Sequence, residues 1–509
     1  MEKKQLSYYI EQLKKADQLI SAPGIRDALV EYLTFDSRKV VPGTIFICKG
    51  AHFKEEFLQD SIDKGTICYV SEKEYDACDA AAIIVKDIRK TMSILALTYY
   101  GRLSDSLKMI GITGTKGKST ITYFTKGIFD KYLADKNGTR IAVCSGITNY
   151  DGVVEEESQL TTPENLPLFE HMNNAVQSGI EYMVMEVSSQ ALKYGRVDGI
   201  DYAVACFNNI GEDHISPVEH PDFEDYFSSK LRIFNQTKVA CINMDTDHYE
   251  RIADEASMAR TVDGEPVRLI AYSTKDESAD IYGYDIKSEN GNVSFRARAN
   301  NIGTYEEFDE EFKLAAFGTI NVINALAAIS IAISLDIPMK YIKAGLAEAL
   351  TPGRMQVFRS PDGKHIGLVD YAHNELSYTL LLESITKEFP DKNIVMVFGS
   401  SGGKAFNRRK TLGSIAGKYC KHVVLTEDDG AEEDVHSICE EIASYLGPDC
   451  DYEIIEDRPS AVRKAVRDAD ENTIVIAAGK AMETFQKRGG YSVKIESDVE
   501  VMTKEYRKK

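Results

Sequence analysis

The sequence lacks the features that would make it a membrane protein, a cysteine-framework protein or a general nucleic-acid binder. Its nine cysteines are scattered and form no CxxC pair. That argues against a zinc site or a disulfide framework and fits a reducing cytoplasm. No apolar run reaches the roughly 18 residues a membrane span needs. The longest, INALAAISIAISL from Ile323, reads as a buried helix. Positive charge is in short supply: 60 Lys and Arg face 80 Asp and Glu, a formal net charge of -20. Such a surface repels nucleic-acid phosphates and leaves room only for a local basic pocket holding an anionic substrate. The opening MEKKQLSYYIEQLKKADQLI is amphipathic, with no apolar signal core, so a cytoplasmic protein is expected. Neither an internal repeat nor a low-complexity tract occurs.

What is present is ordinary globular composition, 43% hydrophobic and 28% charged. The length allows about three domains at roughly 150 residues each. Residues 1–107 carry short β-like runs, Thr44 to Cys48 and Thr66 to Val70, and predict a small N-terminal α/β domain. Residues 108–352 open with the apolar run KMIGIT, a Gly-rich loop and a helical pattern from Ser119 to about Tyr132. Further buried-strand runs follow at Tyr182 (YMVMEV) and Tyr202 (YAVACF). This alternation predicts a central P-loop-type domain with a mostly parallel sheet. Residues 353–509 repeat the rhythm at Ile366, Asn393, His422 and Thr473, which predicts a C-terminal Rossmann-like domain. The Thr351-Pro352-Gly353 turn is the expected hinge between the last two parts.

The loop Gly114-Thr115-Lys116-Gly117-Lys118-Ser119-Thr120 links a buried strand to a helix. Such a junction turns backbone N–H groups and the positive end of a helix dipole toward an anion. Gly114 and Gly117 let the backbone approach phosphates closely. Lys118 is placed to reach the β- and γ-phosphates of ATP, and the Ser119 or Thr120 hydroxyl to ligate Mg²⁺. The full P-loop pattern requires a glycine five residues before Gly117, where this chain has Ile112. The shortened spacing argues against an ordinary P-loop kinase or switch.

GITGTKGKST resembles the ATP loop of the Mur ligases, and other segments follow in that family's order. DSRKVVPGTIFICKG at Asp36 resembles the nucleotide-sugar domain of the MurE type. TTPENLPLF at Thr161 and MEVSSQALKYGRV at Met185 resemble its acceptor-binding segments. FNNIGEDHISP at Phe207 and FSSKLRIF at Phe227 resemble its metal and carbamate segments. FGTINVINALAA, TPGRMQVF, VDYAHNELS, VFGSSGGKAFNRRK and GKAMETFQ carry the match through the last domain. The resemblance implies an ATP-dependent ligase of peptidoglycan precursor synthesis. Such an enzyme activates a carboxylate as an acyl phosphate and joins it to an amine.

By this resemblance Glu186, His214 and Ser119 would hold Mg²⁺, and Lys230 would be carbamylated to N6-carboxylysine. Lys118, Lys230, His214 and Glu186 would be the catalytic set. Asn209, Asn321, Asn324, Arg354 and Asp370 would join the loop in binding ATP, with His373 nearby. Ser37, Thr161, Thr162, Ser188 and Arg196 would bind the UDP-N-acetylmuramoyl dipeptide, with Asp36 and Arg38 at its uridine end. Hydroxyls and a guanidinium suit diphosphate and carboxylate oxygens. Lys404, Asp428, Asp429, Ala431 and Glu483 would line the amino-acid pocket. Diaminopimelate-adding members resemble one another in a DNPR segment whose arginine grips the extra carboxylate; here Asp428-Asp429-Gly430-Ala431 puts alanine there. The acids Glu427, Glu432, Glu433 and Asp434 around it suit an ammonium group or form a solvated loop. L-lysine is therefore the expected diamino acid, with meso-diaminopimelate and ornithine as alternatives. A non-catalytic nucleotide-sugar-binding or scaffold relative, or a folylpolyglutamate-synthase-like ligase, are the competing readings. A monomer without nucleic-acid partner or membrane span is expected.

Overall fold

Runs of β-branched and aliphatic residues alternate with amphipathic segments, so the chain builds parallel sheets with both faces covered. The computed structural model describes residues 3–50, 53–75, 80–213, 215–216, 219–289, 291–299, 302, 307–403, 406–489 and 491–509. They pack as two units, Met1–Tyr282 with Ala327–Ile342, and Gly283–Ala299 with Glu307–Leu326 and Lys343–Lys509.

The first unit contains two sheets. In the smaller one, β1 (Leu19–Ser21), β2 (Tyr32–Thr34), β3 (Thr44–Ile47), β4 (Thr66–Ser71) and β5 (Ala82–Val85) lie in the order β1-β5-β4-β3-β2. The β2, β3, β4 and β5 neighbours pair in parallel, and β1 closes the edge antiparallel to β5. The larger sheet is built on β6 (Lys108–Thr113), β7 (Ala142–Cys144), β8 (Thr148–Tyr150), β9 (Glu155–Glu157), β10 (Tyr182–Glu186), β11 (Tyr202–Phe207), β12 (Thr237–Asn243) and β13 (Arg268–Ser273). Its order is β13-β12-β11-β6-β10-β7-β8-β9, with β8 antiparallel to both β7 and β9 and the other neighbours parallel. β14 (Ile281–Glu289) starts beside β13, pairing Ile281 with Tyr272. The strands β6, β10 and β11 lie side by side at the middle of this sheet, so the loops at their C-terminal ends share one edge. That edge is where open α/β sheets carry ligands.

The second unit holds an antiparallel pair, β15 (Asn292–Ala299) with β16 (Phe308–Leu314). It also holds β17 (Gln356–Arg359), β18 (Ile366–Asp370), β19 (Asn393–Phe398), β20 (His422–Leu425), β21 (Asp451–Ile454) and β22 (Thr473–Ala478). Their order is β17-β18-β22-β19-β20-β21, parallel except for β17, as the Rossmann-like rhythm predicts. β23 (Phe485–Arg488) and β24 (Tyr491–Lys494) form a separate hairpin. The apolar run at Ile323 lies in the helix Asn321–Ser334, and the helix after the Gly-rich loop runs from Lys118 to Lys136. Among the described residues no helix is long and apolar enough to cross a membrane.

Candidate functional site

β6 ends at Thr113 and the chain enters its helix at Lys118, with Gly117 as a left-handed N-cap at φ 85°. Gly117 brings no capping side chain to the first turn at Lys118, Ser119 and Thr120, where a helix turns its leading N–H groups outward. Gly114 adopts φ 151°, and a Cβ there would meet the Asn209 nitrogen at 3.2 Å and Asn208 Cβ at 3.3 Å. The end of β11 thus presses against the loop and holds it. Asn209 Oδ1 accepts from the Lys116 N–H at 2.8 Å, while Asn208 and Asn209 both donate to the Lys116 carbonyl at 3.1 Å. Thr115 Oγ1 accepts from the Gly211 N–H at 3.1 Å and lies 3.0 Å from the Tyr226 hydroxyl. These clamps fix the peptide planes before any ligand arrives, which is the preorganisation an anion cradle needs.

Two ammonium groups converge on one carbonyl of this loop. Lys118 Nζ donates to the Gly114 and Thr115 carbonyls at 2.9 and 3.1 Å. Lys230 Nζ donates to the same Gly114 carbonyl at 3.0 Å and is 1% exposed. Burial drives the Lys230 ammonium well below the ordinary lysine range; the Lys118 charge pushes the same way, against Asp213. Lys116 reaches Asp213 at 3.2 Å.

Glu186 ends β10 beside β6, opposite Ile112, and is almost wholly buried. Its Oε1 accepts from the Gly146 N–H at 2.8 Å. A Cβ at Gly146 would lie 3.7 Å from that oxygen and 3.6 Å from Thr161 Oγ1, so Thr161 neighbours the carboxylate. His214 lies outside the described residues, among which no cluster of three or more metal-ligating side chains occurs. Glu186 and Ser119 offer oxygen donors only, which fits a hard divalent cation.

Thr162 and Ser188 meet across the strand ends: the Ser188 N–H donates to Thr162 Oγ1 at 3.0 Å, and Thr162 Oγ1 donates to the Glu186 carbonyl at 2.9 Å. Ser188 also caps the helix Ser189–Lys193 through the Ala191 N–H. Arg196 pairs with Glu164 at 2.9 Å, and Lys49 pairs with the same carboxylate. These groups, with Arg89, Asn165 and Tyr194, line a cavity. Burial lowers the Lys49 ammonium, Glu164 opposes that, and Arg196 and Arg89 add to it. Ser37 stands apart, buried in the turn after β2, where its carbonyl accepts from Lys64 at 3.0 Å. Asp36 caps that turn and holds Arg38.

The second unit carries the remaining candidates. Asn321 and Asn324 bond to each other at 3.0 Å in the first turn of their helix, and Asn321 donates to the Phe317 carbonyl. Asp370 ends β18 and accepts from the Met355 and Ala372 N–H groups at 2.7 and 2.8 Å, fixing the Thr351–Met355 turn. Arg354 lies over the Tyr371 ring at 4.3 Å. His373 Nδ1 is 2.7 Å from the Tyr371 carbonyl. Tyr371 donates to Glu483 at 2.8 Å, and Glu483 shares the buried Lys480 ammonium with Asp429, at 2.7 and 2.9 Å. Burial raises the Asp428 carboxyl, with Arg458 and Lys480 opposing. Ala431 adopts φ 54° and donates its N–H to the Lys487 carbonyl. Lys404 lies outside the described residues.

Three acids of the stretch from Glu427 to Asp434 have partners within the chain. Glu427 is gripped by Arg488, with Nε to Oε2 at 2.8 Å. Glu433 is forked by Arg409 at 2.7 and 2.8 Å, and Asp434 caps the helix Val435–Ala443. Each of these acids has an internal partner.

Sequence reasoning passed over Asn208, Tyr226, Lys49, Glu164, Tyr371 and Lys480. The doubled asparagine at 208 and 209 was the one available signal. The others have no motif spacing: all but Lys480, which also meets Glu483 three residues on, have their partners far along the chain.

Comparison with known proteins places the chain in a family. A family model of the Mur ligase middle domain matches residues 112–332, and one described as the Mur ligase, glutamate ligase domain matches residues 353–481. UDP-N-acetylmuramoyl-L-alanyl-D-glutamate--L-lysine ligase of Streptococcus pneumoniae is 37% identical over 464 residues, covering 90% of this chain and 89% of that protein. The protein of the same name from Enterococcus faecalis is 35% identical over 462 residues, covering 91% and 88%. Among solved structures, a UDP-N-acetylmuramoyl-L-alanyl-D-glutamate--2,6-diaminopimelate ligase aligns with a TM-score of 0.63 at 24% identity, over 94% of this chain and 95% of the other. With both Mur ligase domains matched and curated relatives aligned along nearly its whole length, this chain belongs to the Mur ligase family.

Proposed function

We propose that this chain is the ATP-dependent ligase that adds L-lysine to UDP-N-acetylmuramoyl-L-alanyl-D-glutamate in peptidoglycan precursor synthesis. The observation that carries the reading is the convergence of Lys118 and the buried Lys230 on the Gly114 carbonyl of a shortened phosphate loop. A substrate carboxylate oxygen attacks the γ-phosphorus of ATP, ADP leaves, and an acyl phosphate forms. The lysine amine then attacks the acyl carbon through a tetrahedral intermediate. Inorganic phosphate departs, and the amine loses a proton to leave an amide.

The loop from Gly114 to Thr120 holds the ATP phosphates, and Lys118 offsets the charge that develops on them. Asn209 acts by holding the Lys116 peptide. Glu186 and Ser119, with His214, would hold Mg²⁺, which would supply charge neutralisation. Lys230 is carbamylated: its neutral amine attacks carbon dioxide and releases a proton, turning a cation into an anionic oxygen donor. Its charge-disfavouring site supports that chemistry. Thr161, Thr162, Ser188 and Arg196 receive the muramoyl dipeptide, and Ser37 its uridine end. Residues 1–107 form the nucleotide-sugar domain, 108–352 the ATP-binding domain and 353–509 the amino-acid domain. Asn321, Asn324, Arg354 and Asp370 belong to the nucleotide side. The protein acts as a cytoplasmic monomer.

Two observations favour lysine over diaminopimelate. Ala431 offers no cation for a second carboxylate, and among the described residues Arg488 is paired with Glu427, Arg409 with Glu433, and Lys480 with Asp429 and Glu483. Burial disfavours the Asp428 charge, and an arriving ammonium would stabilise it. Ligation of the UDP-muramoyl dipeptide is assayed with lysine, meso-diaminopimelate and ornithine in parallel. Lysine is expected to exceed diaminopimelate in kcat/KM by about 100-fold, the scale set by an unpaired charge in a pocket built without its partner. Preference for diaminopimelate would overturn the lysine assignment.

A further inference from the structure

Behind the acceptor-binding segment lies a buried relay of serine, histidine and carboxylate. Ser189 Oγ is 2.9 Å from His220 Nε2, and His220 Nδ1 is 2.6 Å from Asp225 Oδ2. An ionised carboxylate only accepts, so Nδ1 carries the proton. In the neutral ring Nε2 is then the acceptor, and the Ser189 hydroxyl donates to it. The connectivity is that of a hydrolase triad. Its surroundings are not: Ser189 is 4% exposed and His220 0%. A nucleophile sealed from substrate has no chemistry to do, so the relay acts on structure.

What it holds is a helix too short to hold itself. Ser189–Lys193 has five residues, and an isolated helix of that length does not persist. Both of its ends are tied to one carboxylate: Ser189 through His220, and Lys193 directly, Nζ to Asp225 Oδ2 at 2.6 Å. Lys193 also donates to the Glu219 carbonyl at 3.0 Å. Ser188 precedes this helix as its N-cap, and Arg196 follows it within three residues. The anchor itself sits on the helix Phe223–Leu231, which braces the phosphate loop through Tyr226 on Thr115 and Lys230 on Gly114. The His220 ring meets the Tyr226 ring edge-on at 5.2 Å.

We infer that His220 is a positioning residue, linking the helix that braces the phosphate loop to the turn that presents Ser188 and Arg196. This rests on the ligase reading, in which Ser188 and Arg196 receive the muramoyl dipeptide. Its removal therefore weakens acceptor binding while leaving the phosphate loop, clamped independently by Asn208 and Asn209, intact.

The test is steady-state ligation by Ser189→Ala, His220→Gln and the double variant, with melting curves for each. Ser189→Ala removes one oxygen atom and decides the matter even where His220→Gln folds poorly. Each single variant is expected to raise the acceptor KM about fivefold to tenfold, the scale of one lost hydrogen bond, with the ATP KM unchanged. The double variant is expected to be no worse than the weaker single one, because both cut the same relay. An unchanged acceptor KM in an active Ser189→Ala protein would overturn the inference. So would parallel rises in both KM values with a lowered melting temperature, the mark of a mere strut. A wild-type protein that makes no ligated product sinks the ligase reading, and this inference with it.

Discussion

Lys118→Ala is expected to lower kcat for ligation by about 10³-fold or more, the range found when a cation facing a transferring phosphoryl group is removed. The fold is expected to survive. Lys118 stands in the first turn of its helix and spends its ammonium on two carbonyls of its own loop. After truncation the Gly114 carbonyl still accepts from Lys230, and the clamps from Asn208 and Asn209 remain. Lys118 is one of the charges that push the Lys230 ammonium down, so its loss lets the Lys230 value rise toward the ordinary range. The variant thus loses both the direct charge and part of the condition that favours carbamylation of Lys230. Kinetics with ATP, acceptor and lysine, alongside a melting curve, checks this. Activity within tenfold of wild type would remove Lys118 from the assigned role.

Asp498→Ala is expected to destabilise the second unit by about 3–5 kcal/mol, the cost of leaving a buried charge unpaired. The Arg458 guanidinium is 1% exposed and forks onto both Asp498 oxygens, at 2.8 and 2.7 Å. Its remaining N–H groups reach the Ala478 carbonyl at 2.7 Å and the Glu427 carbonyl at 3.3 Å. Asp498 also accepts from the Ala481 N–H at 3.1 Å. One ion pair therefore ties together the end of β22, the loop after β20 and the starts of two helices. Alanine leaves Arg458 charged and dry, with two carbonyls in place of a carboxylate. Replacing both partners with apolar residues, Arg458→Met with Asp498→Leu, is expected to recover most of the loss, because the unpaired charge and not the missing bond sets the cost. Chemical denaturation of the three proteins measures it. A loss under about 1 kcal/mol for Asp498→Ala would show that water reaches the pair. The same ion pair frames the segments from Glu427 to Asp429 and from Lys480 to Glu483. A raised KM for the amino acid is expected to accompany the stability loss.

The fold was legible wherever burial dictates residue type. The runs at Lys108, Tyr202, Asn393 and Thr473 became strands within their expected bounds because both sheet faces are covered, and only apolar residues suit that. The phosphate loop was legible because glycine is required where φ is positive at Gly114 and Gly117. Partner choice was not legible. Arg458 and Lys480 read as unremarkable cations: Asp498 lies 40 residues from the first, and Asp429, which shares Lys480 with the nearby Glu483, lies 51 from the second. The acidic stretch from Glu427 to Asp434 hid its partners for the same reason. Its charges meet Arg488 and Arg409, which topology brings in from elsewhere. Composition shows how many charges a loop carries, while the fold decides how many remain for a substrate.

The central claim is that a substrate carboxylate is activated by phosphoryl transfer from ATP, and one isotope measurement tests it directly. The muramoyl dipeptide acceptor, labelled with ¹⁸O in its reacting carboxylate, is ligated to lysine and the released phosphate is analysed by mass. Attack of the carboxylate oxygen on the γ-phosphorus, followed by loss of phosphate to the amine, predicts that each phosphate released carries one atom of ¹⁸O from the acceptor. Phosphate free of label, formed while the amide product accumulates, would contradict the acyl phosphate and with it the role assigned to the loop at Gly114.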